Sequence, residues 1–190
     1  KEPNPAYMLM QLYFDSKRYS LSNQQAQLYL KLKPEDLLDP YDHAKTIHFI
    51  LKTKILMQEY TSALALYESN KLLVREALPD EDYCLWLDEV ISLFFSLGYK
   101  DDVHLFLEKY QAIYESNKWD YDESIGKIRF LLAQNLQEMG NNHLAIKQLK
   151  QILTEDPSHQ AALQLAELCK KKLKESEGSW LKRFRKYFSK

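Results

Sequence analysis

The sequence predicts an all-α chain whose antiparallel helix pairs stack into an α-solenoid, and three observations predict it. Residues 126–157 read as one helix–turn–helix unit: Leu132, Ala133 and Leu136 share a face of a first helix, and Gly140 with Asn141-Asn142 breaks it. Ala145, Leu149 and Ile152 then share a face of a second helix, which Pro157 follows. The same turn mark recurs along the chain, with Lys17, Gln58, Gly98 and Gly140 standing 41, 40 and 42 residues apart. Composition agrees: 4 glycines and 6 prolines in 190 residues are too few for a turn-dense β fold, and the chain is rich in helix formers.

The elements follow in order. A first pair runs from about Pro5 to Pro34, with Leu9, Met10 and Tyr13 on one face, a turn near Lys17-Arg18-Tyr19, and Ser22 as the small residue of its second helix. Ala26, Tyr29 and Leu30 continue that face, and Glu35–Asp42 reads as a loop in which Pro40 prevents helix continuation. A second pair begins near His43 with Ile47, Ile50 and Leu51, turns at Gln58-Glu59-Tyr60, and sets Ala63 and Tyr67 as a small–large pair. Its second helix can run to Ala77, because no breaker comes before Pro79.

Pro79-Asp80-Glu81-Asp82 is a helix-start signal, since carboxylates favour the positive end of the helix dipole. Leu87, Val90, Ile91 and Phe94 give the next face, Gly98 the turn, and Val103, Leu107 and Tyr110 the returning helix. Asn117–Glu123 reads as a loop with Asp120 or Asp122 capping the fourth pair. After Pro157, residues 160–174 form one more amphipathic helix through Ala161, Ala162, Leu165, Leu168 and Cys169. The lysines at 170–172 and 174 make the polar outer face expected of a helix that caps an array. Gly178-Ser179 is read as a break before the final segment.

The leucine–small–large pattern of 126–157, closed by proline, resembles the tetratricopeptide repeat (TPR). The resemblance covers roughly residues 5–174, strongest in the fourth pair and weakest in the second, where Lys54 and Gln58 replace the usual aromatic and glycine. Each unit is about seven residues longer than the family's repeat of about 34. The resemblance implies a right-handed superhelical array over residues 1–174, and outside it residues 175–190 read as a basic amphipathic tail. It also implies a non-enzymatic scaffold or adaptor, whose first helices line a concave groove for a protein or peptide partner. The groove positions are then Tyr7, Gln11 and Phe14; His48, Lys52 and Ile55; Asp88, Ser92 and Phe95; and Lys127, Phe130, Gln134 and Gln137. Aromatics among amides and charges suit an apolar-and-polar partner segment, although Phe14, Ile55, Phe95 and Phe130 could equally complete the core. The carboxylate clamp of chaperone-binding TPR domains is disfavoured, because Lys52 and Lys127 lack the matching asparagines.

Other chemistries find no support in the residues. Four glycines at 98, 126, 140 and 178 make no phosphate loop, and His43 and His48 are five apart with no third ligand nearby. No nucleophile–base motif appears, so no cofactor, metal or catalytic residue is assigned. Asp80, Glu81, Asp82, Asp88 and Glu89 read as a capping cluster and a solvated face. Cys84 and Cys169 lack metal or redox spacing, which favours a reducing, cytoplasmic setting. The chain opens on Lys1 rather than Met, which leaves room for a removed anchor or targeting segment.

Charge is uneven: residues 170–190 carry nine Lys/Arg against two Glu, so the remainder carries −8. As a helix, the tail sets Trp180, Leu181, Phe184, Tyr187 and Phe188 on one side and Lys182, Arg183, Arg185 and Lys186 on the other. Three uses remain open: docking back on the array, lying on an anionic membrane surface, or gripping an acidic partner. Nucleic acid is the weakest partner, because the acidic body repels phosphate.

Overall fold

A computed structural model describes residues 5–32, 39–120 and 123–188, with the side chains of 123 and 177–188 outside that description. Pro34, Asp122 and the side chains of Trp180, Lys182, Arg183, Phe184, Arg185 and Lys186 therefore lie outside the described residues. The order is α1 (Pro5–Asp15), α2 (Tyr19–Leu32), α3 (Pro40–Leu56), α4 (Tyr60–Ala77), α5 (Asp80–Leu97), α6 (Lys100–Ser116), α7 (Glu123–Glu138), α8 (Asn142–Glu155) and α9 (Gln160–Phe188). No strand occurs among the described residues. The helices form two compact units, Lys1–Tyr99 and Lys100–Lys190.

In the first unit, α1 packs on α2, α2 on α3, α3 on α4, and both α3 and α4 on α5. Met10, Ala26 and Ile50 form a buried cluster that Tyr7, Leu30, Phe49 and Leu66 enclose. Ser22 serves as the small residue, fully buried, with its hydroxyl donating to the Met10 carbonyl at 2.7 Å. Ala63 and Tyr67 are both buried, as are Ile47, Ile50, Leu51, Leu87, Val90, Ile91 and Phe94. Leu9 departs from its expected place. It is exposed beside Met8 and Leu12, because the face that α1 buries runs through Met10 instead. Pro40 also behaves differently from expectation. It opens α3 at the first helical position, where its missing N–H costs nothing, and the Asp39 carboxylate accepts from the Tyr41 N–H at 2.8 Å.

In the second unit, α6 packs on α7, α7 on α8, and α9 on α8 and more lightly on α7. Val103, Leu107, Tyr110, Leu132, Ala133, Leu136, Ala145, Leu149 and Ile152 are buried on the predicted faces. On α9 the buried stripe is Ala162, Ala166 and Cys169, whereas Ala161 and Leu168 are exposed and Leu165 half-buried. The inward face is thus rotated slightly from the expected one. The anticipated break at Gly178-Ser179 is absent, and α9 stays helical to Phe188. A glycine inside a helix costs about 1 kcal/mol relative to alanine, which weakens the helix without stopping it.

The turn marks have one physical basis. Lys17, Gln58, Gly98 and Gly140 all adopt left-handed backbone, with φ of 59°, 61°, 78° and 84°. Each closes its helix with the same two bonds. The Lys17 N–H donates to Phe14 and the Arg18 N–H to Tyr13; Gln58 and Glu59 repeat this on Ile55 and Lys54, Gly98 and Tyr99 on Phe95 and Phe94, and Gly140 and Asn141 on Gln137 and Leu136. A fifth cap at Lys118 (φ 53°) ends α6, with Lys118 and Trp119 donating to Glu115 and Tyr114. Side chains five residues apart close over four of these turns. Arg18 lies over Tyr13 (5.6 Å), Lys54 pairs with Glu59 (3.1 Å), and Tyr99 and Trp119 pack edge-on to Phe94 (5.9 Å) and Tyr114 (5.4 Å).

Candidate partner-binding surface

The first helices α3 and α5 meet along a ladder that the helical period builds. Tyr41, Lys45, His48 and Lys52 recur at i, i+4, i+7 and i+11 on α3 and face Asp82, Trp86 and Glu89 on α5. Lys45 Nζ and the Tyr41 hydroxyl both donate to the Asp82 carboxylate at 2.7 Å, and Lys52 Nζ meets Glu89 at 3.0 Å. Between these polar rungs, His48 stands edge-on to the fully buried Trp86, with ring centres 5.8 Å apart, and Trp86 stacks on Tyr67 of α4.

The electrostatics follow from this placement. Burial pushes the His48 imidazole down to about 4, and the Lys52 and Lys45 cations add to the effect. Its buried Nε2 has no hydrogen-bond partner. Burial alone would raise Asp82, but hydrogen bonds from Lys45 and Tyr41 hold its carboxyl below the ordinary range. The Cys84 thiol is pushed up to about 12, by burial first and then by Asp80 and Asp88. It is a packed, inert thiol rather than a nucleophile.

The predicted groove residues therefore divide. In the first unit, Tyr7 packs on Tyr29 (6.4 Å), and Phe14 sits between Tyr19 (5.5 Å) and Phe49 (4.9 Å) with Lys52 above its ring. His48 and Lys52 are engaged in the ladder. Asp88 is half-buried, while Gln11 and Ser92 are exposed and Phe95 is 69% exposed. Leu85, 53% exposed, joins this set at i−3 from Asp88 and i−7 from Ser92; that spacing was the available signal for it. In the second unit, Lys127 and Gln134 are exposed on α7, and Phe130 stacks on His159 at 5.5 Å. The His159 Nδ1 accepts from the Ala162 N–H at 3.2 Å and so ties that ring to the start of α9.

Among the described residues no three His, Cys, Asp or Glu side chains gather where they could hold a metal ion. No described helix is long and apolar enough to cross a membrane. Among these positions, Leu85, Ser92 and Phe95 are exposed on α5 of the first unit, and Lys127 and Gln134 on α7 of the second.

No family model matches the chain, and no curated protein matches it. Solved structures do. Two crystal structures of a Podosopora anserina protein, assigned as a kinesin light chain with nearly identical TPR-like repeats, are similar at 13% identity, with TM-scores of 0.70 and 0.69. The matches cover 95% and 92% of this chain and 91% and 88% of those chains. At this identity the likeness establishes the fold, an all-α solenoid of TPR-like helix pairs.

Proposed function

We propose, from a TPR-like fold whose first helices keep side chains free of the core, that the chain is a non-enzymatic scaffold or adaptor. It holds a segment of a partner protein along those helices. The observation that carries this reading is the exposure of Phe95 on α5, 69% open to solvent with the exposed Ser92 one helical turn before it. Within the second unit, Lys127 and Gln134 are exposed on α7, polar groups of the kind found at a binding surface. The two unpaired thiols, Cys84 and Cys169, suit a cytoplasmic setting, where they would stay reduced.

Selection of a displayed peptide library on the full chain tests this. The selected peptides should share an apolar anchor and lose affinity roughly tenfold or more when Phe95→Ser is introduced, the cost typical of an anchoring contact. Circular dichroism of the variant should be unchanged. Peptides that bind Phe95→Ser as well as the parent would refute the groove.

A further inference from the structure

The helix α9 is twice as long as the helix it packs on. Its 29 residues extend about 44 Å, whereas the 14 of α8 extend about 21 Å. Buried Ala162, Ala166 and Cys169 and half-buried Leu173 form the stripe that holds its first half. In an antiparallel pair α8 is used up by about Leu173, and Lys174, Glu175 and Ser176 are exposed. The backbone nonetheless continues as helix to Phe188.

The sequence changes character over that continuation. The step of the packing stripe, carried on from Leu173 at three or four residues, reaches Trp180, Phe184 and Tyr187, so alanines give way to aromatics in the same register. At 100° per residue Trp180, Leu181, Phe184, Tyr187 and Phe188 fall within an arc of about 120°, with Lys182, Arg183, Arg185 and Lys186 centred opposite. An uninterrupted helix at Gly178-Ser179 is what makes this a single two-sided surface rather than a loose basic tail.

We infer that the C-terminal half of α9 is an interfacial helix that seats on an anionic lipid surface. Aromatics of amphipathic character settle at the headgroup boundary, and the flanking cations are drawn to anionic lipid. Tryptophan and tyrosine are the aromatics that settle at a headgroup boundary, and they stand here beside lysine and arginine, the residues that anionic lipid attracts. This inference stands apart from the groove reading and uses none of its residues.

The test is co-sedimentation of the full chain with vesicles of phosphatidylcholine and phosphatidylserine, or of phosphatidylcholine alone. Binding is expected only with phosphatidylserine, and raised salt should weaken it. Arg183→Gln with Lys186→Gln should lower partitioning on the order of tenfold. Trp180→Ala with Phe184→Ala should also abolish most binding, with helix content and melting of the array retained. No binding, equal binding to neutral vesicles, or binding indifferent to both variant pairs would overturn the inference. So would salt-sensitive capture by polyglutamate without vesicle binding, which would point to an acidic protein instead.

Discussion

Acidification should loosen the α3–α5 ladder through one residue. His48 is neutral in the folded chain, with a pKa of about 4, whereas an unfolded histidine titrates near 6.5. Between those values the unfolded chain takes up a proton that the folded chain refuses. Stability therefore falls as pH drops through this window and levels off below it. The full loss is about 3 kcal/mol, and at about pH 5.5 it is already about 1.4 kcal/mol. The structure supplies the reason: a third positive charge would arrive between Lys45 and Lys52, at a buried Nε2 without an acceptor, against the edge of Trp86. Urea unfolding of the parent and of His48→Gln at about pH 7.5 and about pH 5.5 isolates the effect, because the carboxylates common to both cancel in the difference. The parent should lose about 1.4 kcal/mol relative to the variant on acidification. NMR titration of the imidazole reads the pKa directly. A His48 that titrates at its ordinary value, or parallel pH profiles for the two proteins, would refute the reasoning.

Two further perturbations address the frame of the fold. Gly98→Ala and Gly140→Ala should each cost about 1 kcal/mol, and purely through the backbone, since an added Cβ meets nothing within 4 Å at either site. The reverse changes, Lys17→Gly and Gln58→Gly, should gain about 0.5–1 kcal/mol by relieving left-handed strain, and thermal melts of the four variants should separate into two opposite pairs. Trp86→Ala removes a side chain that touches both His48 and Tyr67, and should cost about 3–5 kcal/mol, seen as early loss of near-UV circular dichroism.

The helix pairs were legible because local chemistry agreed with the tertiary arrangement. Ala133 with Leu136, and Ala145 with Leu149, carry their packing role in their spacing. The turns were legible from more than glycine: at Lys17 and Gln58 no glycine is present, yet both stand in regular spacing with Gly98 and Gly140. Lys118 went unrecognised because it falls inside the stretch Asn117–Glu123 that the sequence presents as a loop. The ladder was not legible. Its α3 residues show a clear period, but which helix they face depends on contacts 37 residues and more away in the chain, as Lys45 and Asp82 show. For the same reason the contacts of His48 with Trp86 and of Lys52 with Glu89 could not be read from the sequence. The helical continuity of α9 was hidden by a glycine that a helix tolerates at modest cost.

The five left-handed caps bear on how such a chain can change over time. Each turn is closed by two main-chain N–H groups, which every residue except proline carries. A mutation that removes a signature glycine therefore weakens a hinge point by about 1 kcal/mol without redirecting the helices it joins. The contact that closes over the turn is equally permissive, since an ion pair at Lys54–Glu59 stands where Phe94–Tyr99 places two rings. Architecture stored in backbone hydrogen bonds leaves the side-chain alphabet free to drift, so the repeat can outlast its own consensus.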